Sequence, residues 1–259
     1  MKIYHSLSKL IPESKFKNRL RNLIYGKLFL VTHGYKIVTL DKLRNIRGKF
    51  YKQLFIDYNY DIPLEIRGYQ LHYTPKKGDI VIDVGTYIGE FAIYASKLVG
   101  KNGRVICFEP DKANMKLLKR NIKLNRLDNI TLIEKGLWNK DGVLKFKTFG
   151  AGSVFEKFDD SKNLVNEVEV VKLDTILKKL NISKVNMIKM DIEGAEIEAL
   201  EGCKETMKKN DVYFAIASYH TVNGEKTCKE LTKIFNQLKY KSITEYPAHL
   251  TTYAQKHNF

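Results

Sequence analysis

Four short runs of glycines, acidic side chains and a histidine form patterns that suit ligand binding. Asp83-Val84-Gly85-Thr86-Tyr87-Ile88-Gly89 sets two glycines around a three-residue loop, and Phe108-Glu109-Pro110 places a carboxylate 26 residues after Asp83. Lys189-Met190-Asp191-Ile192-Glu193-Gly194-Ala195-Glu196 gathers a lysine and three carboxylates, and Ala217-Ser218-Tyr219-His220 ends in a histidine. Gly85 lets a backbone turn sharply, and Gly89 lets a ligand or a strand come close to a helix start. The spacing is G-x-x-x-G, not the G-x-G-x-x-G whose second glycine admits a pyrophosphate. Glu109 can accept hydrogen bonds from both hydroxyls of a ribose. Asp83 and Glu109 would both repel phosphates, so a sulfonium nucleoside suits this pair better than NAD. Pro110 and Asp111 open the next helix, with the acidic group favouring its dipole.

These residues need elements to hold them. Asp79–Val84 is a nearly continuous apolar run, as a strand buried on both faces should be. Tyr87–Val99 then repeats apolar residues with a helical period through Ile88, Phe91, Ala92, Ala95 and Leu98. The alternation continues with strands at Arg104–Phe108, Ile130–Ile133, Val168–Leu173, Val185–Met190 and Val212–Ser218. Helices are expected at Asp111–Leu124, Gly194–Glu205 and Thr227–Leu238, and Tyr240–Thr244 with Thr251–Gln255 should close the fold as a pair of strands. Strands separated by amphipathic helices imply right-handed crossovers, hence an α/β fold with a mainly parallel sheet and helices on both faces. Ligands then bind beyond the carboxyl ends of the strands, where all four runs fall.

Upstream the character changes. Residues 1–78 hold 16 Lys and Arg against 5 Asp and Glu, whereas residues 79–259 hold 29 against 24. The net charge of +16 is therefore concentrated near the start. Helices are expected at Ser14–Leu30 and Asp41–Tyr51, with short β-like runs over Ile62–Tyr73. This divides the chain into a basic, mostly helical N-terminal appendage, 1–61, and a catalytic domain, 62–259. Such a region could meet an anionic surface or a nucleic acid. Lysines outnumber arginines 37 to 8, however, so a solvated lysine surface explains them equally well. At 259 residues and 44% hydrophobic, the composition excludes a collagen-like repeat, a disordered tail and a disulfide scaffold. Cys107, Cys203 and Cys228 lack paired spacing and read as small hydrophobes of a reducing compartment. With no apolar run of about 18 residues and no secretory leader pattern, a cytoplasmic protein without a transmembrane segment is expected. Oligomeric state is not legible.

The glycine loop, Phe108-Glu109-Pro110 and the K-x-D-x-E-G-x-E block together resemble the signatures of the FkbM family. The resemblance covers roughly residues 62–220 and implies a Rossmann-like class I methyltransferase fold. It also implies S-adenosylmethionine as cofactor and a hydroxyl oxygen as the usual acceptor. Carried onto this chain, it assigns the cofactor to Asp83, Gly85, Thr86, Tyr87, Gly89, Glu109 and Pro110. Adenine would lie beyond the third strand, where Gly136 permits close approach and Leu137 covers its face; Trp138 is taken as a packing residue. Two departures stand out. The family's loop often reads D-x-G-A-N-x-G where this chain has Thr86-Tyr87, and its E-x-H appears here as Ser218-Tyr219-His220.

Methyl transfer to an alcohol needs positioning and removal of a proton. Asp191, at a strand end, is a candidate for acceptor binding or proton removal. Lys189 shares its face of the strand, so a Lys–Asp ion pair is expected there. His220 is a candidate general base, because imidazole titrates near neutrality. Glu193 and Glu196, three residues apart in a first helical turn, could serve the helix dipole or hold acceptor hydroxyls or a cation. No metal is assigned. His5, His33, His72, His249 and His257 are expected to be surface or structural residues. The function expected is O-methylation of a small molecule, sugar or lipid-linked glycan. The alternatives are ribose methylation of RNA through the basic region, or a membrane-surface or partner-binding protein with a vestigial cofactor fold. The absence of an N-P-P-[YF] motif after the fourth strand counts against methylation of exocyclic amines.

Overall fold

The computed structural model describes residues 37–38, 53–54, 64–147, 165–222, 224–246 and 249–257. Its contacts cluster into two units, residues 1–62 and 63–259. In the first, β1 (Ile37–Val38) pairs antiparallel with β2 (Gln53–Leu54). The helices expected at Ser14–Leu30 and Asp41–Tyr51 lie outside the described residues, as do His5 and His33.

The second unit begins with helix α1 (Leu64–Tyr69) where β-like runs were expected. Ile66 and Tyr69 are both buried, and their three-residue spacing belongs to one helical face rather than to a strand. From there the expected alternation appears as β3 (Ile80–Val84), α2 (Glu90–Val99), β4 (Arg104–Phe108), α3 (Lys112–Asn125) and β5 (Ile130–Ile133). Three short strands follow, β6 (Gly136–Leu137), β7 (Gly142–Lys147) and β8 (Val165–Val171), forming a separate small sheet in the order β6-β8-β7. The strand expected at Val168–Leu173 ends sooner, because α4 (Leu173–Lys179) starts at Leu173. After β9 (Met187–Met190), the single helix expected over Gly194–Glu205 is two helices, α5 (Glu196–Glu201) and α6 (Lys204–Lys209). Gly202 lies between them, where a Cβ would come within 2.1 Å of the Trp138 carbonyl oxygen. The chain closes with β10 (Tyr213–Ala217), the β11 (Thr221–Val222) and β12 (Glu225–Lys226) ribbon, α7 (Thr227–Gln237), β13 (Lys241–Glu245) and β14 (Thr251–Gln255).

The main sheet has seven strands in the order β13-β14-β10-β9-β3-β4-β5. The five from β10 to β5 are parallel, and β14 runs antiparallel to both β10 and β13. Strands β3, β4 and β5 step outward in one direction, and the chain then returns to lay β9 on the other side of β3. That reversal opens a crevice at the carboxyl ends of β3 and β9. Ile82, Ile106, Ile188, Phe214 and Ile216 are wholly buried and join the helices in one hydrophobic core, so the strand ends are held from beneath. Among the described residues, no helix is long and apolar enough to cross a membrane.

Candidate active site

Crossing between β3 and β9 governs the site. Gly85 has φ +72°, and a Cβ there would lie 1.9 Å from the backbone oxygen of Asp191. Only a glycine lets the loop after β3 press against the loop after β9. Gly89, with φ +97°, meets a different need: a Cβ would lie 2.5 Å from Leu118 Cδ1, so this glycine seats α3 against the start of α2. Between them Tyr87 has φ +53°, a left-handed conformation that asparagine tolerates more readily than tyrosine. The Asn common at this position in the resembling family thus has a backbone reason.

Glu109 is almost wholly buried at the end of β4 and ties these pieces together. Its Oε2 accepts from Tyr87 N at 2.8 Å, and its Oε1 accepts from Asp111 N at 2.9 Å and Asn114 Nδ2 at 3.3 Å. Burial raises its pKa to about 7, against the lowering effect of those three donors. Asp111 is the N-cap of α3, its side chain accepting from Asn114 N at 2.8 Å, and Pro110 lies just outside the helix rather than at its first position. Thr86 is buried, and its hydroxyl donates to Asp83 O.

Asp83 and Lys189 are partners across the parallel β3–β9 register. Their side chains form a buried ion pair, with Nζ 3.1 Å from Asp83 Oδ1, and Nζ also donates to Gly85 O at 3.0 Å. The expected lysine–aspartate pair thus forms with Asp83, because a strand neighbour lies closer than a residue two places along. Burial opposes the charge on Lys189, yet the Asp83 and Asp191 carboxylates outweigh it and raise the pKa. Both side chains support the loop from below.

On the β9–β10 side, carboxylates surround a histidine. His220 Nε2 is 3.8 Å from Asp191 Oδ1 and 3.3 Å from Glu193 Oε2, while Nδ1 is 3.0 Å from Glu196 Oε1. Burial disfavours the imidazolium, but the close approach of Glu193 and Glu196 and the Asp191 charge push the pKa up to about 10. A near-neutral base was expected; at neutral pH these surroundings hold a cation instead. Glu196 is wholly buried, and its Oε1 accepts from Ile192 N and Gly194 N, both at 3.2 Å. Glu193 precedes α5 rather than lying within it, and its φ of +56° marks a strained turn. Asp191, Glu196 and His220 each bring one potential metal-ligating atom within 4.8 Å of the others. Sequence spacing had assigned no metal, since 29 residues separate Asp191 from His220.

Two participants escaped the sequence reading. Tyr69 of α1 donates its hydroxyl to Asp191 Oδ2 at 2.8 Å, and the Lys189 ammonium lies 5.3 Å from the centre of its ring. His249, expected to be surface or structural, packs against the rings of Tyr69 and Tyr219. Helical spacing at Ile66 and Tyr69 was the available signal for the first; nothing local announces the second. Gly136 and Leu137 are both buried. Leu137 is 2% exposed within the hydrophobic core, and a Cβ on Gly136 would meet Val170 of β8 at 3.2 Å. Packing between the small sheet and the core surrounds both residues.

Comparison with known proteins fits this geometry. Residues 83–252 match the family model described as the methyltransferase FkbM domain. The methyltransferase sdnD of Sordaria araneosa is 26% identical over 216 residues, covering 68% of this chain and 78% of its own length. The 2-O-methyltransferase NoeI of Sinorhizobium fredii is 26% identical over 151 residues, covering 52% of this chain and 61% of that protein. Among solved structures, a methyltransferase FkbM from Methylobacillus flagellatus superposes with a TM-score of 0.51 at 22% identity. That match covers 71% of this chain and 45% of the solved one, and it shows a shared fold.

Proposed function

The chain belongs to the FkbM methyltransferase family, and we propose that it methylates a hydroxyl oxygen, using S-adenosylmethionine, on a small molecule, sugar or lipid-linked glycan. The observation that carries this reading is the meeting of two different strand ends at one crevice. The glycine loop and Glu109 stand on one side, and the Asp191 cluster stands on the other, separated only by the contact that Gly85 permits. A similarity to a protein named as a 2-O-methyltransferase supports a hydroxyl acceptor.

The residues present suit the cofactor. Glu109 is a buried carboxylate at the carboxyl end of β4, where it can accept ribose hydroxyls. Tyr87 and Thr86 hold the loop, Gly85 and Gly89 let it pack, and Asp83 with Lys189 braces it. The carboxylates lining the crevice favour a cationic sulfonium over a phosphorylated nucleotide. When bound, S-adenosylmethionine supplies an electrophilic methyl group.

The chain's own contribution is then orientation and proton removal. Asp191 Oδ1 is buried and makes no hydrogen bond, so it is an open acceptor for a substrate hydroxyl. Tyr69 holds Oδ2 and so fixes the direction in which Oδ1 points. We assign Asp191 as the group that takes the acceptor's proton as its oxygen attacks. His220 balances the negative charge of Asp191, Glu193 and Glu196, and the more exposed Glu193 is placed to contact acceptor hydroxyls. Lys189 is a positioning residue. A methyl-transfer screen across sugars, lipid-linked glycans, small alcohols and RNA, read as S-adenosylhomocysteine release, tests the assignment. Turnover with hydroxyl acceptors that is lost in Asp191→Asn is expected. Turnover confined to RNA, or none with any acceptor despite cofactor binding, would overturn it.

A further inference from the structure

We infer that Asp191, Glu196 and His220 form a binding site for a divalent transition-metal ion such as Mn²⁺. The three residues come from two neighbouring strand ends and the first turn of α5, and one ligand atom from each lies within 4.8 Å of the other two. The donor set is two carboxylates and one imidazole. That mixture suits Mn²⁺, Co²⁺ or Zn²⁺ better than Ca²⁺ or Mg²⁺, which favour oxygen alone.

Proximity of acidic groups would not be enough, but the unsatisfied atoms point the same way. Glu196 is wholly buried, and although Oε1 accepts two backbone amides, Oε2 has no hydrogen-bond partner. Asp191 Oδ1 is likewise buried and unbonded. The His220 side chain is 9% exposed, with Nδ1 3.0 Å from Glu196 Oε1 and Nε2 3.3 Å from Glu193 Oε2. A buried polar atom left unpaired is costly, so two carboxylate oxygens left so in one cluster call for a common partner. The charge agrees. Lys189 is committed to Asp83, which leaves Asp191, Glu193 and Glu196 facing a single imidazole. A dication taking the place of the imidazole proton reduces that surplus and gives all three groups one common partner.

What the ion does rests on the methyl-transfer reading. Held by Asp191, it would take an acceptor hydroxyl as a further ligand and lower the pKa of that hydroxyl, so that the Asp191 carboxylate assigned above as proton acceptor would receive a more acidic proton. Its presence can be tested without cofactor or acceptor. Mn²⁺ is titrated into the full-length protein and the free-ion electron paramagnetic resonance signal is followed. One ion per chain is expected to bind, with affinity reduced about tenfold or more in Glu196→Gln and His220→Gln. Glu196→Gln keeps an oxygen for the Ile192 and Gly194 amides; if it still fails to fold, by circular dichroism, His220→Gln decides. No binding up to millimolar Mn²⁺, or equal binding by wild type and folded variants, would overturn the site. A protein that binds no Mn²⁺ yet methylates hydroxyls would sink this site alone, and one that binds Mn²⁺ but methylates nothing would sink only the function assigned above.

Discussion

The two sides of the crevice are built on opposite plans. On the β3–β4 side the polar groups answer one another: Glu109 accepts from three donors of the chain, Thr86 bonds the strand it follows, and Asp83 is paired with Lys189. On the β9–β10 side, Asp191, Glu196 and His220 crowd together with atoms left unbonded. The first side is a cradle held by the chain's own donors and one buried ion pair, although both Asp83 oxygens lack a hydrogen bond; the second gathers carboxylates around one histidine, with oxygens open to a further partner. The contrast teaches where tolerance to mutation should lie. Damage to the cradle should appear as lost stability or cofactor affinity, and damage to the open side as lost turnover.

The largest expected effect falls on the open side. Asp191→Asn should lower the rate of methyl transfer by about 10²–10⁴-fold, the usual range for a positioned proton acceptor, while cofactor affinity measured by calorimetry stays near wild type. Equal losses in both would break the contrast between the two sides. Lys189→Met probes the cradle from beneath. It strands the buried Asp83 carboxylate, and loss of one partner of a buried pair costs about 3–5 kcal/mol. Urea denaturation should show that loss, with partial recovery in the double variant Asp83→Asn/Lys189→Met.

Glu109→Ala should weaken S-adenosylmethionine binding by about 1–3 kcal/mol through lost ribose hydrogen bonds. Identical calorimetric affinities would refute the ribose assignment. The same residue predicts a pH dependence. With its pKa raised to about 7, Glu109 is protonated below that pH in the free protein, yet hydroxyl donors bind its ionised form. Cofactor affinity should therefore fall as pH drops below 7 and level off above it, and Glu109→Gln should flatten that slope. Smallest of all, Tyr69→Phe removes the one hydrogen bond by which Tyr69 directs the Asp191 carboxylate. Turnover should fall several-fold with little change in melting temperature. A collapse in stability instead would make Tyr69 a core residue rather than a positioning one.

The two sides were also unequally legible in the sequence. Glycines and strand-end acids of the cradle are local in the chain, and their meaning follows from backbone geometry. For that reason the β3 loop, β4 and the helix after Glu109 were placed to within a few residues. The packing of Gly136 and Leu137 was not legible locally, because their neighbours, Val170 and the core, come from distant segments. The Tyr69–Asp191 hydrogen bond spans 122 residues, and no local pattern could announce it.

By itself, the order of apolar runs and breaking residues determined an alternating α/β chain with its chemistry at the carboxyl ends of strands. Hydrophobic period and turn chemistry are properties of neighbouring residues, so they can be read before any folding. Tertiary structure alone decided which charges meet. The β3–β9 register gave Lys189 to Asp83 rather than to Asp191, and the return of the chain through β10 carried His220 into three carboxylates. Coulombic and hydrogen-bond energies depend on distances of a few ångströms between remote segments, and only the folded chain sets those distances.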